Sequence, residues 1–224
     1  MPITIEKRMI PTYPEQPYEC LPMFAENRVH QRSSGNPYPN AVVNGMHADT
    51  IENREYITIT LENDYVAVTV LPELGGRIFR AYDKRNGYDF FYRQSVIKPA
   101  LIGALGSWIS GGVEFNWPYH HRPSTFLPVD YATETEADGT MAVHLSEHDP
   151  FDRMKGMVTL RLRPDATVLE TAVRIFNRTP LRHSFLWWEN AAVPVHEDYH
   201  IFFPGDVRRA YFHYRRDTAA YPIG

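Results

Sequence analysis

The chain has a single cysteine, Cys20, so an internal disulfide framework and a multi-cysteine metal site are both excluded. No apolar run approaches the roughly 18 consecutive residues that a membrane-spanning helix requires. The N-terminal Met1-Pro2-Ile3-Thr4-Ile5-Glu6 has no basic start followed by an apolar core, so a secretory signal is not expected there. A basic block is missing too, and the net charge is only −4, which argues against nucleic acid and anionic membrane as partners. Helical periodicity is nearly absent, and only Ser95 to Leu105 could form a turn or two. Phosphate-binding loops, dinucleotide fingerprints, zinc-protease motifs and nucleophile elbows do not occur. No internal repeat or low-complexity linker is seen. These absences leave a cytoplasmic protein with no cofactor and no metal as the expectation.

What is present is β signal. From Glu55 onward, short runs rich in β-branched and aromatic residues alternate with turn sequences. Tyr56 to Leu61 and Tyr65 to Leu71 flank Glu62-Asn63-Asp64, and Leu74-Gly75-Gly76-Arg77-Ile78 leads into a third strand ending at Tyr82. Asp83-Lys84-Arg85-Asn86-Gly87 is a strong turn, because Asn-Gly tolerates positive φ. Further strands are expected over Phe126 to Glu134, Met141 to Glu147, Gly156 to Leu162, Thr167 to Phe176, Arg182 to Val193, Tyr199 to Phe203 and Ala210 to Tyr214. Many strands joined by short turns indicate an all-β sandwich or barrel. Residues 3 to 10 form a first strand, and Pro11 to about Asn53, rich in Pro, Asn, Ser and Gly, reads as an irregular arm. The expected organisation is residues 1–54 as N-terminal strand and arm, and 55–224 as a sandwich domain that is incomplete at its C-terminus.

Two stretches carry the candidate chemistry. In Gly111-Gly112-Val113-Glu114-Phe115-Asn116-Trp117-Pro118, an extended chain puts Glu114 and Asn116 on one face and Val113, Phe115 and Trp117 on the other. Pro118 lacks an N–H and ends the ladder, so Tyr119, His120, His121 and Arg122 fall on a loop at the strand's end. The second stretch, Arg182 to Asn190, sets adjacent Trp187 and Trp188 beside Glu189 and Asn190. Aromatic surfaces next to carboxylates and amides match the C–H faces and hydroxyls of a sugar. Glu114 and Glu189 are the candidate acid and base. Glycosyl transfer to water needs two carboxyls about 5 Å apart for retention, or roughly 6.5–9.5 Å apart for inversion. Substrate-binding candidates are Arg77, which follows Gly75-Gly76, with Asn116, Trp117, His120, His121 and Arg122 from the first stretch. Trp187, Trp188 and Asn190 join them from the second, either tryptophan serving as stacking platform. Adjacent histidines point to opposite sides of an extended chain, so His120 and His121 are not expected to hold a metal.

Pro72-Glu73-Leu74-Gly75-Gly76-Arg77-Ile78, with Tyr82-Asp83-Lys84 and Asn86-Gly87, resembles the early strands of the galactose mutarotase-like superfamily. Gly111 to Asn116 and Trp187-Trp188-Glu189-Asn190-Ala191-Ala192-Val193-Pro194 resemble one branch of it, an uncharacterised bacterial domain of unknown function often found ahead of tetratricopeptide repeats. The resemblance runs from about Ile57 to Tyr214. It implies an antiparallel β-supersandwich with a sugar cleft across one sheet, and tetratricopeptide repeats downstream. Asn177 to Phe185 is similar to a stretch of the aldose 1-epimerases that would make His183 a catalytic acid. The expected function is therefore carbohydrate binding with action on a glycosidic bond, as in a glycoside hydrolase. An aldose 1-epimerase-like sugar epimerase and a non-catalytic carbohydrate-binding or structural module are the alternatives.

Overall fold

A computed structural model describes residues 3–15, 17, 49–101, 107–118, 125–150, 152–212 and 217–221. The chain divides into two compact units, Met1–Val193 and Pro194–Gly224.

The first unit is an antiparallel β-sandwich. Its larger sheet has the order β1-β2-β3-β4-β8-β13, with β5 paired to β4. These strands are β1 (Thr4–Thr12), β2 (Glu52–Glu62), β3 (Val66–Leu71), β4 (Arg77–Asp83), β5 (Tyr88–Asp89), β8 (Val113–Asn116) and β13 (Trp188–Ala191). β1 pairs along its whole length with β2, so the first strand is the edge of this sheet. A smaller sheet follows the order β12-β11-β10-β9, from β9 (Asp130–Thr135), β10 (Met141–His148), β11 (Lys155–Leu162) and β12 (Leu169–Phe176). A short ribbon of β6 (Pro99–Leu101) and β7 (Ser107–Ile109) stands apart from both.

Alternation explains the stacking. Ile59 and Leu61 of β2 and Val66, Val68 and Val70 of β3 lie on one face of the larger sheet. Val113 and Phe115 of β8 share that face through the pairing of Ile78 with Val113. Opposite them, Val143 pairs with Leu160 and Leu145 with Val158, so β10 and β11 offer a continuous apolar face. Burying these branched side chains between two sheets is what holds the sandwich together. A second, smaller cluster gathers Tyr56, Leu71, Ile109 and Phe126 on the other face of the larger sheet. That face also keeps its polar residues: Thr60 and Thr69 sit opposite one another, their hydroxyls 3.3 Å apart.

Several expected elements differ. Tyr199 to Phe203 is not a strand, and Arg182 to Val193 holds strand only over Trp188–Ala191. Their apolar residues gave a β signal, but Ile201, Phe202 and Phe203 are exposed and find no sheet to join. Ser95 to Leu105 contains β6 where a helical turn was expected, and 102–106 lie outside the described residues. Most of the arm, residues 18–48, also lies outside them, as does Cys20. No helix among the described residues is long and apolar enough to cross a membrane.

The second unit holds β14 (Arg209–Phe212) and β15 (Asp217–Ala220), an antiparallel pair. The ring of Tyr221 packs edge-on to Phe203, with centroids 5.1 Å apart.

Candidate functional site

The site is built on two glycine pairs. A single 3-10 turn at Pro72–Leu74 closes with Gly75 and Gly76, both at φ 70°, and releases the chain into β4 at Arg77. A Cβ on Gly75 would meet the Thr125 carbonyl oxygen at 2.6 Å, so the close approach demands glycine. Gly111 and Gly112, at φ 94° and 66°, do the same ahead of β8. A Cβ on Gly112 would lie 1.9 Å from the Ile78 carbonyl oxygen, which is how β8 comes alongside β4. The Gly112 N–H donates to the Tyr92 carbonyl, and the Ala192 N–H donates to that of Gly112. Three distant segments are thereby pinned at one point.

Arg77 is buried and fastens the same corner from beneath. Its Nη1 donates to the carbonyls of Ile109 and Gly111, at 2.8 Å each, and its Nη2 stands 3.7 Å from Glu114 Oε2. A rigid guanidinium fork can serve two strand ends and a carboxylate together; a lysine ammonium could not.

Glu114 is the centre of the polar face. Asn190 Nδ2 donates to its Oε1 at 2.7 Å, and Asn116 Nδ2 donates to the same oxygen at 3.1 Å. The first bond follows from the register, in which Asn190 faces Glu114 directly across the β8–β13 ladder. A carboxylate only accepts, so the amide nitrogen of Asn190 is the atom turned toward it. The Asn190 carbonyl oxygen is then left as an acceptor. Glu114 and Asn190 line a cavity of 280 Å³, together with Trp108, Ile109, Gly111 and Gly112. Its volume is near the lower end for small-molecule pockets and suits a ligand of one ring.

The other expected residues are distributed more widely. Glu189 pairs with Phe115, not with Glu114, and alternation therefore puts it on the core-side face of the sheet. The two carboxyls face opposite sides of one sheet and do not straddle a common bond, which corrects the expected acid/base pairing. Partial desolvation nevertheless raises the Glu189 carboxyl above the ordinary glutamate value. Trp117 is 1% exposed and packs against Gly156, where a Cβ would meet the indole at 2.3 Å. It fills the core, so its ring is closed to a ligand. Asn116 is fully buried and orients Glu114 from below. Trp187 stacks on Phe115, with centroids 6.2 Å apart and planes at 19°, and belongs to the core side. Trp188 pairs with Asn116 and so shares the face of Glu114. His183 is drawn to another part of the unit: Nε2 is 2.9 Å from Thr179 Oγ1, and Nδ1 is 3.5 Å from Asp152 Oδ1. It does not line the Glu114 cavity. His120, His121 and Arg122 lie outside the described residues. Among the described residues, no group of three or more His, Cys, Asp or Glu side chains could hold a metal ion.

Trp108 is the wall residue that sequence reasoning missed. Its neighbours gave no alternation, and only its nearness to Gly111-Gly112 could have marked it.

A family model described as a domain of unknown function (DUF5107) matches residues 33–224. A solved crystal structure of a TPR-domain containing protein from Parabacteroides distasonis ATCC 8503 is similar, with a TM-score of 0.76 and 24% identity. The match covers 88% of this chain and 33% of that one, so the chain spans about a third of that protein's length.

Proposed function

This chain belongs to the DUF5107 family, and from that premise we propose that it is a carbohydrate-binding β-sandwich of the galactose mutarotase-like type, taking a single sugar ring at Glu114 and Asn190. The observation that carries this reading is the Glu114–Asn190 pair opening into a ring-sized cavity with an indole on its wall. Glu114 is itself held by Asn190, Asn116 and Arg77 and fixes the Asn190 amide. Asn190 offers its side-chain carbonyl oxygen to sugar hydroxyls, and Trp108 offers an apolar face for the C–H groups. Arg77 and Asn116 are positioning residues that hold Glu114 in place. In a longer protein the domain would sit ahead of tetratricopeptide repeats, in the cytoplasm.

A glycosidic cleavage run by Glu114 and Glu189 has no support in this register, because no water and no leaving group can be shared across the sheet. His183 does not line the cavity that Glu114 lines, so an epimerase using His183 draws no support from that cavity. Recognition without turnover is the function the geometry favours.

Calorimetry with a panel of neutral monosaccharides tests it. Binding is expected in the wild-type protein, and Asn190→Ala should weaken it roughly tenfold while the cooperative unfolding transition is retained. Polarimetry on freshly dissolved sugars and a reducing-end assay should show no turnover. Absence of binding by any sugar at tens of millimolar overturns the reading.

A further inference from the structure

The outer face of the smaller sheet carries a larger cavity, of 590 Å³, that shares no residue with the Glu114 site. The apolar residues of β10 and β11 point into the sandwich, so the alternate residues point outward and form cross-strand rows. One row runs Asp130, Ser146, Met157, Arg174 across all four strands. The next runs Ala132, His144, Thr159, Ala172. Alanines at both ends of this second row, with a hydroxyl between them, leave the hollow.

The charges along these rows are unevenly matched. His144 Nε2 is 3.0 Å from Glu134 Oε1, and its Nδ1 is 2.9 Å from Thr159 Oγ1. The carboxylate only accepts, so Nε2 is the donor to Glu134, and Nδ1 shares a hydrogen bond with the threonine hydroxyl. Thr159 Oγ1 keeps a lone pair for a ligand hydroxyl. Glu134 is thus engaged, and Arg161 is paired with Glu136 at 2.5 Å. Arg174 is exposed and has no ion-pair partner among the described residues. Asp130 cannot reach it: three strand spacings, about 14 Å between Cα atoms, separate the ends of the row. Between them lie only a thioether and a hydroxyl.

We infer that this hollow is a second ligand site, for a hydroxylated ring bearing one carboxylate, that is, an acidic sugar of the uronate class. The carboxylate pairs with the Arg174 fork, the ring's C–H face lies on Met157, and the hydroxyls reach Ser146, Thr159 and Asp130. An unpaired guanidinium at one end and acceptors at the other give the groove a direction that a neutral sugar does not satisfy.

Titration of the whole chain with sodium galacturonate, followed by the side-chain NMR resonances of His144 and by calorimetry, tests the assignment. Saturable shifts are expected with galacturonate and none with galactose at the same concentration. Arg174→Gln, at an exposed position that leaves the core intact, should weaken galacturonate binding roughly tenfold or more. Asn190→Ala should leave it unchanged. No shift at tens of millimolar, equal affinity in Arg174→Gln, or loss in Asn190→Ala (which would put the acid sugar in the Glu114 cavity) each overturns the inference. The outcome is independent of whether the first cavity takes a neutral sugar.

Discussion

At Gly112 a missing side chain decides whether the site exists. The residue combines a positive φ with a backbone carbonyl where a Cβ would stand. The obstructing Ile78 oxygen belongs to the strand β8 must pair with, so relief would have to come from moving β8 itself. Gly112→Ala should therefore lower the unfolding free energy by more than about 3 kcal/mol, read from urea denaturation. It should also lose whatever the Glu114 cavity binds, since the cavity is walled by this corner. Glu114 itself illustrates a different point. Its neighbours Arg77, Asn116 and Asn190 are all donors, so the carboxylate works as a fixed acceptor around which two amides are oriented.

Elements decide which face of the sheet each of two adjacent tryptophans takes. In the sequence, Trp187 and Trp188 are equivalent candidates for a stacking platform. The β8–β13 register separates them: Trp188 pairs with Asn116 on the polar face, while Trp187 stacks on Phe115 toward the core. Trp187→Ala should cost roughly 2 kcal/mol of stability through lost packing, seen as a lower Tm. Trp188 shares the face of Glu114 but does not line its cavity, so Trp188→Ala should weaken sugar binding in calorimetry less than Asn190→Ala does. The same register sends Glu189 to the face away from Glu114. Had β13 slipped by a single residue, the two carboxylates would have been cross-strand neighbours.

For the whole sandwich unit, cohesion comes from one apolar layer supplied by both sheets. Ile59, Val68 and Phe115 of the larger sheet pack in the same cluster as Val143, Leu145 and Leu160 of the smaller. Leu160→Ala should cost about 3 kcal/mol. The loss should shift a single unfolding transition, with tryptophan fluorescence and far-UV circular dichroism moving together. Two separate transitions would mean that the sheets fold independently. The two cavities lie on the outward side of each sheet, so this shared layer supports both sites without taking part in either.

The all-β class, most of the strands and the turns at Asn63 and Asn86-Gly87 were legible in the sequence, because alternation and turn chemistry are local. The polar face of β8 was legible for the same reason: its side chains alternate whatever strand lies beside them. What the chain could not state by itself was pairing. That Asn190 meets Glu114, that Glu189 does not, that Trp108 walls the cavity and that Asp130 and Arg174 end one row all depend on registers between strands far apart in sequence. Register is set by the joint fit of two apolar faces, a property of the folded sheets and not of any one strand.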